Sequence, residues 1–522
     1  MKHSHYLFVP ILCLMLALLP IAPLAETQEK LSPEPISYEI MVYEHASQPW
    51  MQDAIVLQEI FEKTNVQLKI NVVPQSDYET KLNVLLSTNQ MPDIVKTVVG
   101  GYKTIKTYAS SGIFLNLSDY LETYAPHYYA MYQADANIQM YNFEGATYGF
   151  CLLSDPSNVA QGASLVLRYD LLEKNALEMP DTMEALLETM KKLKDIYPDS
   201  QPWTSRGSTG SLLNRISFIL GSGYGMYYEP ETSKWQYGQI TESFPSVLDY
   251  LNRAYEMGVL DIDYATMNNQ LWQEKMNTGK SFMYFENPGF SFSMTANLKA
   301  ADPAALLTLA PVPTNAITGN ARAYLYNAPE DSFYLLSADI EHPEIAVKLL
   351  DWCYSDEGMA VCNYGQEGVT FNYDETGKPQ ILPEFAQRFA DDAAPSYAMQ
   401  SALGSGQLGM APRYVNTEFD ASLNSALGIT EDPVTAAYYD LFRTDPAYVP
   451  GVIPPPFTEE ENEIITDILT PIDTFLATEY DRFIMGERDI DEWVRVADEL
   501  KKMGIETVVD LYNDAYARAL GK

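Results

Sequence analysis

Residues 36–43 read ISYEIMVY and residues 66–73 read VQLKINVV, both alternating between apolar and polar side chains. Between them, 51–64 (MQDAIVLQEIFEKT) spaces its apolar residues for one face of a helix. A period of two, then 3.6, then two again predicts strand, helix, strand. Two such strands run parallel when a helix carries the chain back over the sheet, and that crossover is right-handed. This opening confines the chain to an α/β fold built on a parallel sheet covered by helices.

The alternation continues. A helix is expected over 77–88, a strand from Ile94 to Val99 and a short helix from Leu117 to Tyr124. A second strand–helix block begins at 163–173 (ASLVLRYDLLE), and Asp181-Thr182 with Glu184 opens a helix over 182–196. Further helices are expected at 244–257, 343–354, 460–479, 489–503 and 505–519. The prolines of 450–458 (PGVIPPPFT) break the chain before the acidic helix start Thr458-Glu459-Glu460-Glu461. A chain of 522 residues exceeds one ordinary core. Two α/β blocks and a helical tail therefore predict two lobes with a cleft between them, where a ligand would bind and a hinge would close. Lobe 1 is expected over 37–162 with a return segment near 312–400, and lobe 2 over 163–311 with the C-terminal helices 401–522.

The N-terminus predicts export. Lys2 precedes an apolar run from Leu7 to Ala22 that contains Pro10 and Pro20, then Ala22-Pro23-Leu24-Ala25, then polar residues. This is a signal peptide over 1–25, followed by a flexible tether over 26–36. No later run of eighteen apolar residues occurs, so a soluble monomer outside the membrane is expected, extracellular or associated with the cell envelope. The formal charge of −38 repels phosphate backbones and anionic lipid surfaces, which excludes nucleic-acid partners. Cys13 lies in the signal; Cys151, Cys353 and Cys362 leave an odd count that fits small buried thiols better than a disulfide scaffold.

Several local patterns, in order along the chain, resemble extracellular solute-binding protein family 1 in its lipoprotein-like carbohydrate branch. They are 85–95 (LLSTNQMPDIV), 112–121 (GIFLNLSDYL), 144–149 (EGATYG), 167–172 (LRYDLL), 247–264 (VLDYLNRAYEMGVLDIDY), the 341–368 helix and Gly-x-Glu-Gly turn, and 480–520. The resemblance implies a periplasmic-binding-protein fold of type II, no catalytic activity, a mono- or oligosaccharide ligand and ABC transporter permease partners. One feature departs from the lipoprotein pattern: residues 22–28 contain no cysteine, so there is no clear lipobox.

A sugar asks a protein for flat aromatic faces and for paired polar groups at its hydroxyls. Loops at strand ends are where such groups belong. The loop 44–50 (EHASQPW) offers Trp50, with packing at the helix entry as its alternative, and His45 as a weaker hydrogen-bonding candidate; Asp93, after Pro92, offers a carboxylate whose alternative is to cap its turn. The polar loop 201–210 (QPWTSRGSTG) offers Trp203, with Arg206 as a partner for a hydroxyl or carboxylate. Arg168 matches the family's strand arginine but could pair with an acid instead. The segment 284–290 (YFENPGF) clusters Tyr284, Phe285, Glu286 and Asn287 at an expected strand end. Trp235 is expected to pack in a hairpin, and Trp352 and Trp493 in the core.

Nothing in the sequence points to catalysis, a metal or a cofactor. His45, His127 and His342 are scattered, and no HExxH, Gly-x-Ser-x-Gly or GxxxxGK[ST] pattern occurs. Residues 261–266 (DIDYAT) begin like a calcium loop without its central glycine. The rival readings are a secreted glycoside hydrolase and a protein that binds a peptide or serves a membrane sensor.

Overall fold

The structure is a computed structural model that describes residues 30–44, 49–51, 53–98, 100–154, 163–325, 329–392, 395–405, 413–414, 416–429 and 432–521. The expected signal peptide and the first four residues of the tether, 26–29, lie outside the described residues.

The opening strand (Ile36–Glu44) pairs in parallel with Val66–Pro74 on one side and with Ile94–Lys96 on the other. The helix Ile55–Thr64 is the crossover. Ile40, Met41 and Val42 are buried in succession, as a strand covered on both faces requires. The strand Glu330–Leu336 returns antiparallel beside Ile94–Lys96 and pairs on its other edge with Gly149–Ser154. With the short strand Arg413–Tyr414 these form one six-stranded sheet.

The second sheet is antiparallel. Ser164–Arg168 lies between Met283–Glu286 and Leu307–Leu309. Trp203 extends it, bridging to both Leu260 and Met283. Helix Met183–Ile196 covers this sheet, and its N-cap Thr182 accepts from Ala185 N as the sequence predicts. The hairpin Met226–Glu229 and Lys234–Tyr237 buries Trp235 against Tyr228, Tyr512 and Tyr516.

Each sheet carries its own core, and the molecule is two-lobed. One core gathers Tyr38 to Leu153 and Phe333 to Leu423. The other gathers Leu165 to Ala323 and Ala447 to Ala515. The helix Asn416–Leu427 thus belongs with the first sheet, although the sequence reading assigns everything after 400 to lobe 2. Its Phe419 and Leu423 pack there, and Ser422 Oγ accepts from Ile381 N at 2.6 Å. The tail helices, beginning with Glu459–Ile484 behind a Thr458–Glu461 capping box, close the second lobe, where Trp493 Nε1 donates to Gln239 O. Cys151, Cys353 and Cys362 are free, buried thiols in the first lobe.

The chain leaves the first sheet at Ser154 and enters the second at Ser164; it returns from Leu325 to Glu330. These crossings identify the sheet edges that face the cleft. In the first lobe it is the edge holding Glu44, Lys96 and Glu330; in the second it is the edge holding Ser164 and Glu286. Ligand sites of open α/β sheets lie beyond the carboxyl ends of the parallel strands, which is this same edge of the first lobe.

Candidate functional site

On the second lobe, the strand Met283–Glu286 delivers Glu286 and Asn287 to the cleft edge. Thr204 N donates to Met283 O, which sets the loop after Trp203 alongside. Arg215, on the following helix Thr209–Ile216, ties the group together. Its Nη2 lies 2.5 Å from Glu286 Oε2, while Nη1 donates to Arg206 O at 2.9 Å and to Ser211 O at 3.2 Å. Glu286 is buried, so this ion pair neutralises a carboxylate that would otherwise be costly there. Asn287 Oδ1 caps its own turn by accepting from Gly289 N.

Arg206 itself is partly exposed. Its Nε donates to Asn269 Oδ1 at 3.0 Å, and its guanidinium sits 4.9 Å from the centre of the Phe290 ring. The Phe290 ring meets Trp272 edge-on, so the platform beneath Arg206 is anchored in the lobe's interior.

On the first lobe, Trp50 follows the opening strand and its N donates to Glu44 Oε1 at 3.0 Å. The ring is partly exposed and lies near Gly404, at the end of helix Pro395–Leu403. The same helix carries Tyr397, 46% exposed. Behind it, Ser396 Oγ donates to Asp420 Oδ1 at 2.7 Å. Burial pushes the Asp420 carboxyl up to about 6, against the lowering effect of the Ser396 hydrogen bond. The Tyr397 hydroxyl is pushed up by burial and by Asp420, and pulled down by Arg206.

Deeper in the first lobe, Lys96 is buried at the end of Ile94–Lys96, its ammonium 5.7 Å from the Tyr43 ring centre and 5.5 Å from that of Tyr334. Burial lowers it to about 8, opposed by Glu330, whose own carboxyl is raised by burial. These groups lie buried or half-buried at the cleft edge of the first sheet.

The other residues expected at the site lie elsewhere. Trp203, 1% exposed, packs edge-on against Tyr250 and Phe285 in the second core. Tyr284 and Phe285 are buried too, Tyr284 against Trp272. The polar loop around Trp203 does bury a tryptophan, because the segment is bridged to Leu260 on one side and Met283 on the other. Asp93 stands at the opposite edge of the first sheet, where Oδ2 accepts from Glu39 N at 2.7 Å. Arg168 is at the far end of its strand and forks onto Asp170 through Nε and Nη2 at 2.8 and 2.7 Å. Arg168 thus pairs with an acid, the alternative weighed for it, whereas Asp93 holds the neighbouring strand rather than capping its own turn. His45 lies outside the described residues. Arg206, Glu286 and Asn287 are brought together on one wall, with Trp50 on the other. Sequence reasoning missed Arg215, Asn269, Phe290, Tyr397 and Asp420, which come from five separate helices or helix ends and share no local motif.

Comparison with known proteins matches this sequence to a family. The sequence model of bacterial extracellular solute-binding proteins matches residues 44–360. Lipoprotein LipO of Bacillus subtilis (strain 168) is 25% identical over 256 residues, 46% of this chain and 48% of the relative. The polygalacturonan/rhamnogalacturonan-binding protein YtcQ of the same organism is 24% identical over 240 residues, 44% and 46% of the two chains. The chain thus spans about half the length of the curated relatives it matches. Among solved structures, alginate-binding protein AlgQ2 without calcium ion has a TM-score of 0.73 at 18% identity, covering 93% of this chain and 99% of that one. The ABC-transporter substrate-binding protein FusA of S. pneumoniae in complex with kestose has a TM-score of 0.69 at 16% identity, covering 93% and 100%. At these identities the likeness is one of fold.

Proposed function

We infer the function from one premise: the chain belongs to the bacterial extracellular solute-binding protein family. It captures a carbohydrate outside the membrane and presents it, as a monomer, to the permease of an ABC importer, without chemistry of its own. The observation that carries this reading is the pair of unlike walls at the cleft. Trp50 and the exposed Tyr397 offer aromatic faces on one side; Arg206 and Asn287 offer polar groups on the other. A sugar that touches both walls stabilises the closed arrangement by the contacts it makes only there. Named relatives bind polygalacturonan, alginate or kestose, which supports an oligosaccharide.

The test is a thermal-shift screen of residues 26–522 against mono- and oligosaccharides. A ligand at 100 times its Kd adds about 2.7 kcal/mol by mass action and raises Tm. A sugar recovered intact after raising Tm supports the reading. Cleavage of the sugar points to a hydrolase, and silence across the panel removes carbohydrate as the ligand.

A further inference from the structure

Arg206 is the arginine of the second lobe that differs from its neighbours. Arg168, Arg215, Arg253 and Arg322 each hold a carboxylate of the protein. Arg206 holds none among the described residues, in a chain with 71 acidic residues against 33 basic ones. With that excess of carboxylates an arginine is readily paired, so one at the cleft that pairs with no carboxylate among the described residues invites an acceptor from outside.

Its surroundings fix it for that purpose. The side chain of Asn269 takes Nε, Phe290 lies beneath the guanidinium plane, and Arg215 holds the Arg206 carbonyl. These contacts orient the fork and leave Nη1 and Nη2 without an acceptor among the described residues. Two parallel N–H donors from one planar cation match the two oxygens of a carboxylate, and the charge makes each bond stronger than one to a hydroxyl. The loop that carries it is tied through Arg215 to Glu286 at the cleft edge of the second lobe. Asp420, on the first lobe, is hydrogen-bonded to Ser396, and no ion pair joins it to Arg206.

We propose that Arg206 reads a ligand carboxylate, so that the oligosaccharide this cleft selects is an acidic one containing uronic acid. This inference rests on the carbohydrate reading above and narrows it to a charge class.

The experiment is isothermal titration of the exported chain with uronate trimers (galacturonate, mannuronate and guluronate), their methyl esters and a panel of neutral oligosaccharides. The expected result is binding of at least one uronate trimer, weakened tenfold or more by esterification. Arg206→Gln should lose the same factor for the acid and little for the ester, with Arg206→Lys recovering part of the loss and added salt weakening only the acid. Binding of neutral sugars alone overturns the inference and leaves the carbohydrate function standing. So does an Arg206→Gln variant, folded by Tm, that loses affinity equally for acid and ester, which would make Arg206 a closure contact. Binding of no carbohydrate overturns the function and this inference with it.

Discussion

The Arg215 guanidinium lies 2.5 Å from the buried carboxylate of Glu286 and also holds the carbonyl of Arg206. One side chain therefore both neutralises the strand end and positions the loop that faces the cleft. Arg215→Met would remove the ion pair from the buried Glu286 carboxylate, a change that costs about 3–5 kcal/mol at buried sites. Urea denaturation should show that loss, and Arg215→Met/Glu286→Gln should recover most of it. Equal stability of the single variant and the parent protein would refute the pairing.

Trp203 leads to a different expectation. At 1% exposure, between Tyr250 and Phe285, it fills the second core. Trp203→Ala should destabilise the fold by about 3–5 kcal/mol through a cavity. The protein that remains folded should keep its sugar affinity. A stable variant with weakened binding would return Trp203 to the ligand wall.

How far the sequence could be read follows from such cases. The parallel opening was legible because its periods are local, and the capping residues Thr182 and Thr458 are local signals too. The cleft edge was partly legible: Glu286 and Asn287 end a strand whose limits show in YFENPGF. What could not be read was register. Trp203 and Arg206 sit three residues apart in one polar loop, yet one faces the core and the other the cleft, because Trp203 pairs with Leu260 and Met283. Those partners are distant in sequence. Tyr397 and Asp420 were invisible for the same reason: they meet through the packing of separate helices. The assignment of helix Asn416–Leu427 to the first lobe depended on Phe419 and Leu423 finding that core, which no periodicity specifies.

Lys275 supplies a third test. Its Nζ lies 2.7 and 2.8 Å from the two oxygens of Asp261, 2.7 Å from Asp263 Oδ2 and 2.8 Å from Gln201 Oε1. Asp261 is 0% exposed. The ammonium thus gathers the acidic turn 261–263 onto the segment entering the Trp203 bridge. Lys275→Met should cost about 3–5 kcal/mol by stranding the Asp261 charge, measurable as a lower urea midpoint. Lys275→Met/Asp261→Asn should be less destabilised than the sum of its two single variants, and strict additivity would show that the two side chains act independently.

Asp420 makes stability depend on pH in a calculable direction. Burial raises its carboxyl to about 6, whereas an unfolded chain holds an aspartate near 3.9. Between about pH 4 and 6 the folded protein keeps a proton that the unfolded chain has released. Stability therefore falls as pH rises through that window and levels off above it. Two full pK units correspond to about 2.7 kcal/mol; water reaches part of this side chain, so an effect of order 1 kcal/mol is expected. Glu330, Asp331 and Asp351 are raised by burial as well and add falls of the same sign. The test is accordingly a difference. Asp420→Asn keeps an acceptor for Ser396 Oγ but cannot ionise, so its Tm should gain on the parent protein as pH rises from 4 to 6. Tm curves that stay parallel across that interval would mean that Asp420 titrates as an ordinary surface carboxylate.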